Sequence, residues 1–303
     1  AARSTGRTPM TADSSSPTRL QAMRTWLAPF AARPVAIIGV GVLLVVVLAA
    51  IAAPLLAPYD PGAFDSLIRL SPPNPQHWFG TDQLGRDTFS RVIYSARMAL
   101  LVGIGVVLFA LATGIPIGVF SALFPRLGQV LMRAVDVLMA FPSLLLALGL
   151  IVILGPSVAN SIIAIGAGFL TTTTRIVYGL TLRLKTETYV EAARSMGSRT
   201  GWLVLKHILP NLISPLLVQA SFVFAFAQLS AASLDFLGLG APPDIPSWGN
   251  MLAESRNFIT RAPWLLFFPG MMIALTAFAL NLVGDTLRDR LDPRFRGLFG
   301  REG

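Results

Sequence analysis

Six long apolar runs, parted by polar or glycine- and proline-rich breaks, limit what this chain can become. They cover about 35–57, 98–124, 134–154, 158–182, 212–234 and 263–287. A helix of ~20 apolar residues, rising ~1.5 Å per residue, matches a hydrocarbon core ~30 Å thick. Inside that core no water is available to the backbone, so each run must pair its own N–H and C=O groups as a helix. Composition agrees. The chain is 54% hydrophobic and 13% charged, with mean hydropathy +0.67, whereas soluble domains carry about 25% charge. The sequence predicts an all-α membrane protein with six transmembrane helices.

Residues 1–33 are rich in Ser, Thr, Pro and Arg and read as a disordered tail. They are not a secretory signal, because the apolar run starts only after Pro34 and is too long for one. Residues 34–57 form the first transmembrane helix. Residues 58–97 form an extracytoplasmic segment ending in an interfacial helix, Thr88 to Arg97, capped by Asp87. That helix places Phe89, Val92 and Ile93 on one side, the pattern of a helix lying flat. A five-helix core follows at 98–287, and a tail at 288–303. Seventeen basic residues fall on the side of both termini and the 186–211 loop, and six on the other. Positive loops stay inside, so both termini are predicted to be cytoplasmic. The same rule accounts for the net charge of +9 without nucleic acid as a partner.

Several chemistries lack their residues. There is no cysteine, and only His77 and His207 supply imidazole. No glycine-rich phosphate loop is present for ATP. No carboxylate cluster lies at mid-membrane, which an ion-coupled carrier or channel requires. No nucleophile, base and stabiliser set can be assembled from the outer loops for a membrane-anchored enzyme. Work has to come from a partner.

The place to receive it is the charged island TETYVEAARSMGSRTGWLVLKHILPN at 186–211. Thr188 and Glu191 are spaced as a capping box. Ala192 and Ala193 leave the backbone open to close approach, with Tyr189 and Met196 as apolar anchors. Gly197 stands where a left-handed stop belongs, and Ser198 is placed to cap a second helix ending at Pro210. Glu191, Ala192, Ala193, Gly197, Leu209 and Pro210 resemble the EAA loop of ABC-importer permeases, with His207 where the general pattern has Ile.

Four further stretches extend the resemblance. They are Phe79-Gly80-Thr81-Asp82 with Gly85-Arg86-Asp87; Arg133 and Asp136 with Ala140-Phe141-Pro142; Phe236 to Gly240 with Trp248-Gly249; and Asn281 to Arg296. Together they resemble the C-type permease subunit of dipeptide/oligopeptide (and nickel) ABC importers. The resemblance implies a type I ABC importer permease fold in a bacterial inner membrane, and a non-catalytic subunit. It implies a B-type permease chain completing the pore, two ABC ATPases or one fused ATPase, and an extracytoplasmic substrate-binding protein. No cofactor is bound by this chain, since ATP and Mg sit on the ATPases. Tyr189, Glu191, Ala192, Ala193, Met196, Gly197, Leu209 and Pro210 are the ATPase-docking residues. Peptides are the implied cargo, with nickel, glutathione or haem as alternatives.

Other residues remain open between structural and transport roles. Gly80, Thr81, Asp82, Gly85, Arg86 and Asp87 are turn and cap formers, or a contact for the binding protein. Asp136 and Arg175 lie in spans, where charge is expensive, and either pair with each other or line the substrate path. Asp235 reads as an exposed acid at the outer mouth, suited to a peptide's ammonium group. Gly114-x-x-x-Gly118 is a helix contact or, with Pro116, a kink.

Overall fold

The first apolar run ends sooner than its composition implies. Helix α1 (Pro34–Ile51) stops at Ala52, and a single turn, α2 (Ala53–Leu56), follows. Pro54 has no N–H for the carbonyl four residues back, that of Ala50. Arg97 takes it instead: its Nε donates to the Ala50 carbonyl at 2.6 Å and its Nη2 to that of Ile51 at 3.3 Å. A cation at a helix C-terminus also meets the negative end of the dipole. The computed structural model describes residues 34–291, so the predicted tail 1–33 and most of that at 288–303 lie outside the described residues.

The predicted interfacial helix is not a separate element. Thr88–Leu123 is one helix of 36 residues, α3, whose first turns run on into the second span. The apolar side read as membrane-facing is covered by protein: Val92 and Ile93 are buried, and Trp248 Nε1 donates to the Val92 carbonyl at 3.0 Å. Asp87 does cap it, accepting from the Ser90 N–H at 2.8 Å.

The third predicted span is broken. α4 (Pro125–Met139) and α5 (Ser143–Leu154) meet at 94°. Pro142 removes a donor and clashes with the preceding turn, so α4 cannot pass through Ala140-Phe141. α5 has 12 residues, about 18 Å at ~1.5 Å each, short of a full core. The fourth run forms α6 (Val158–Leu184), close to expectation. After short helices α7 (Thr188–Ser195) and α8 (Thr200–Leu203) come α9 (Leu209–Phe236), α10 (Trp248–Ser255) and α11 (Trp264–Leu291). α11 runs beyond its expected end at 287.

Among the described residues, four helices are long and apolar enough to cross a membrane alone, and five if the bent pair is one span. By that measure the expected six are not all reached: the bend at Pro142 splits one apolar run, and α1 falls short of a full span within the described residues. The chain is all-α, with only an isolated bridge between Thr81 and Asp87 among the described residues.

Packing centres on α3 against α6. Gly114 and Gly118 are the reason the two approach: a Cβ on Gly118 would stand 2.8 Å from the Thr174 carbonyl oxygen, and one on Gly114 2.9 Å from Thr173 Cγ2. The glycine pair is thus a helix contact, and Pro116 leaves α3 unbroken. Val106, Ala110, Ile151, Ala164, Ala227 and Leu234 close the core from α3, α5, α6 and α9.

Candidate functional site

The knuckle between α6 and α9 is built differently at its two ends. Its start has no side-chain cap: Glu187 is the N-cap, and its carbonyl accepts from the Val190 N–H at 2.9 Å and the Glu191 N–H at 3.1 Å. Thr188 is already helical and Glu191 reaches no backbone donor, so the expected capping box does not form. Its end matches expectation. Gly197 adopts φ +82°, a left-handed conformation that side chains resist. The Ser198 N–H then donates to the Ala193 carbonyl at 3.2 Å, and the Gly197 N–H to that of Arg194 at 3.0 Å. This paired closure satisfies carbonyls that the helix end leaves free.

Ser198 is not the next cap, since α8 starts after Arg199. Nor does Pro210 end the helix. A π-helical turn, Val204–Ile208, joins α8 to α9, and the Leu209 N–H donates five residues back to the Val204 carbonyl. A widened turn relieves the clash that Pro210 would have with the carbonyl of Lys206. The result is one continuous helical rod, Thr200–Phe236, of 37 residues.

Burial divides the expected docking residues. Met196 is 81% exposed and Tyr189 44%, and Glu191, Ala192, Gly197 and Pro210 are exposed with them. Ala193 is 5% exposed and Leu209 half-buried. Ala193 therefore corrects the expectation of two outward alanines: successive helix positions differ by about 100°, and one of the pair must face the chain itself. His207 lies between Tyr189, 5.7 Å away centre to centre, and Trp202 at 5.0 Å. Asn211 Nδ2 donates to the His207 carbonyl at 2.6 Å and to Tyr189 Oη at 3.4 Å. These contacts tie α7 to the base of α9.

In the span region, Arg175 on α6 and Asp136 on α4 form an ion pair, and both side chains are about half exposed. Of Thr171 to Thr174, only Thr172 is exposed, and the other three are buried. Asp235 contradicts expectation. It is 7% exposed, accepting from the Ala241 N–H at 2.8 Å and Ser247 Oγ at 2.7 Å. It pins the loop after α9 from within. Asn250 completes the tie, donating to the carbonyl of Ala241 at 3.0 Å.

The outer cluster is also internal. Gly80 and Gly85 supply the turns, while Thr81, Asp82, Arg86 and Asp87 are all buried. Asp82 Oδ2 accepts from Arg86 Nε and Arg91 Nη1, each at 2.6 Å. Glu254 Oε2 on α10 accepts from Arg86 Nη2 at 2.7 Å and Arg91 Nη1 at 3.0 Å. His77 Nδ1 lies 2.9 Å from Asp87 Oδ1. As surface contacts for a binding protein, Thr81, Asp82, Arg86 and Asp87 are thus corrected to an internal clamp. Sequence reading missed Arg91 and Glu254. Arg91 sat on a helix read as flat, and Glu254 lies 163 residues further along the chain.

Residues 114–297 match the family described as binding-protein-dependent transport system inner membrane component. The chain belongs to this family. It is a multi-pass inner-membrane permease of ABC transport. Residues 23–73 match the N-terminal TM domain of oligopeptide transport permease C. The permease is 44% identical over 259 residues to a putative peptide transport system permease protein of Brucella suis, covering 86% of this chain and 88% of that one. It is 42% identical over 262 residues to the dipeptide transport system permease of Alkalihalophilus pseudofirmus, with 86% of each covered. It is also 42% identical over 258 residues to a glutathione transport system permease of Pectobacterium atrosepticum, covering 84% and 86%. An inward-facing structure of the MetNI methionine ABC transporter superposes with TM-score 0.57 at 17% identity, over 67% of this permease and 97% of that chain. The permease thus shares the fold of type I ABC importer permeases.

Proposed function

We propose that this permease forms half of the translocation pore of an ATP-driven importer for di- and oligopeptides. A B-type permease chain completes the pore, an extracytoplasmic binding protein delivers the cargo, and two ABC ATPases or one fused ATPase drive it. ATP and magnesium belong to those ATPases. The chain crosses the membrane six times with both termini on the ATPase side, the bent α4–α5 pair and α1 serving as the two incomplete spans.

One observation carries this reading. An exposed, partly apolar knuckle projects from a loop whose two ends are rigid helices, α6 and the rod 200–236. Tyr189, Met196, Trp202 and Leu205 give this charged loop several exposed apolar side chains, surface that a partner's groove can cover. Met196, Tyr189 and Ala192 dock, Glu191 adds the charge at the rim, and Gly197 fixes the exit. ATPase closure shifts the knuckle, and the rods turn that shift into tilt at the pore. Mechanical transfer needs the ties between Tyr189, His207 and Asn211.

The test is reconstitution of the complete transporter with Met196→Asp. Retained assembly with loss of dipeptide transport while ATP hydrolysis continues supports docking. Unaltered coupling overturns it. The glutathione permease relative favours a second reading in which the cargo is a γ-linked tripeptide. Competition by glutathione for uptake separates the two.

A further inference from the structure

The exposed faces of the spans differ in kind. Along α3 the exposed residues include Leu101, Ile104, Leu108 and Phe120, an apolar stripe suited to lipid. The inner half of α6 is different. Its exposed positions are Thr172, Arg175, Gly179 and Arg183, spaced three, four and four apart and so on one face. No exposed apolar side chain interrupts them. Asp136 on α4 stands across the stripe and pairs with Arg175.

Depth makes this informative. Arg175 lies about 14 Å from the end of α6 at Leu184, at ~1.5 Å per residue. A 27-residue helix exceeds the hydrocarbon core by about 10 Å, so with that excess shared between its ends Arg175 lies about 9 Å inside the core. Charges at that depth face a bundle interior or a water-filled cavity rather than lipid. In this chain the pair faces outward, with both side chains about half exposed. Among the described residues no element of this chain covers the pair, so it faces the space between this chain and the second permease chain of the proposed pore.

We infer that the stripe Thr172–Arg175–Gly179–Arg183, with Asp136 opposite, is the water-facing wall of the solute path. The inference rests on the reading of this chain as half of a pore. The Arg175–Asp136 pair keeps both charges satisfied while the path is closed, and polar solute passes along a face whose exposed positions carry no apolar side chain.

The chain has no cysteine, so single cysteines can be read cleanly. Thr172→Cys is nearly isosteric, and a side chain at Gly179 would meet nothing within 4 Å. Ile104→Cys and Leu108→Cys, on the lipid-facing stripe of α3, serve as controls. The complete transporter is placed in proteoliposomes with its cytoplasmic face outward, binding protein and radiolabelled dipeptide inside, and ATP outside. A charged methanethiosulfonate is added outside, and modification is read by mass on this chain. Cysteines at 172 and 179 are expected to react at least tenfold faster than those at 104 and 108, and their modification to slow dipeptide release at least fivefold. Equal, slow reaction at all four positions overturns the inference and leaves the pore reading standing if the unsubstituted transporter still moves dipeptide. Failure of the unsubstituted transporter to move dipeptide removes the peptide-pore reading instead.

Discussion

Arg91 Nη1 donates to Asp82 Oδ2 at 2.6 Å and to Glu254 Oε2 at 3.0 Å, so one buried guanidinium joins the outer segment to α10. With Arg86 it makes two cations facing two carboxylates, and the buried charge is balanced. Balance matters more than the number of contacts, because desolvation offsets much of the attraction between buried ions.

The first prediction concerns that balance. Glu254→Ala leaves two guanidiniums on a single carboxylate, and breaking a buried pair costs about 3–5 kcal/mol. The purified transporter should unfold several degrees lower in a thermal melt. Glu254→Asp, which keeps the charge, should lose less. An unchanged melting temperature for the alanine variant would show that the clamp contributes nothing.

Gly197 supplies the second. Its φ of +82° is unfavourable for a β-branched residue by about 1–2 kcal/mol. Gly197→Val should abolish most transport while the chain still inserts and assembles, whereas Gly197→Asn, which tolerates a positive φ, should be milder. Space is not the obstacle, since a Cβ there meets nothing within 4 Å. Equal activity of the two variants, measured as dipeptide transport, would exclude the strain argument.

Ala192 and Ala193 should behave differently from each other. Ala192 is exposed and Ala193 is 5% exposed. Ala192→Trp should uncouple ATP hydrolysis from transport and leave the knuckle as resistant to limited proteolysis as before. Ala193→Trp overpacks the turn, at a cost of about 1–3 kcal/mol, and should raise proteolysis as well. Matching protease sensitivity in both would contradict the burial pattern.

Asp235 gives the fourth. Asp235→Asn keeps an acceptor for the Ala241 N–H and a polar partner for Ser247, so uptake and its selectivity should stay within about twofold of the parent. Asp235→Ala strands two buried groups at about 1–3 kcal/mol and should loosen the outer loop. Hydrogen exchange at 236–250 reads this directly, and identical exchange in the alanine variant would refute the pin.

How much was legible follows from the range of each cause. The runs that became α6, α9 and α11 were visible because apolar length is a local property, and Gly197 because a left-handed stop is set within one turn. Asp87 as a cap was equally local. The box at Thr188 and Glu191 had the right spacing, yet Glu187 serves as the N-cap of α7 and the box is bypassed. Pro210 was read as a terminator, and a π-turn that five residues share absorbed it.

The sequence alone determined that this polypeptide is helical, membrane-embedded and fitted with a short charged knuckle between its apolar runs. Those properties follow from hydropathy and from backbone rules acting over a few residues. Only the tertiary structure decided which polar residues face outward. Asp235 and Arg86 are ordinary charged residues in sequence, and burial beside partners far along the chain made them internal ties. Arg175 and Asp136, whose pairing was one of two open readings, stayed on the surface. Burial is a collective outcome of helix packing, and local spacing does not encode it.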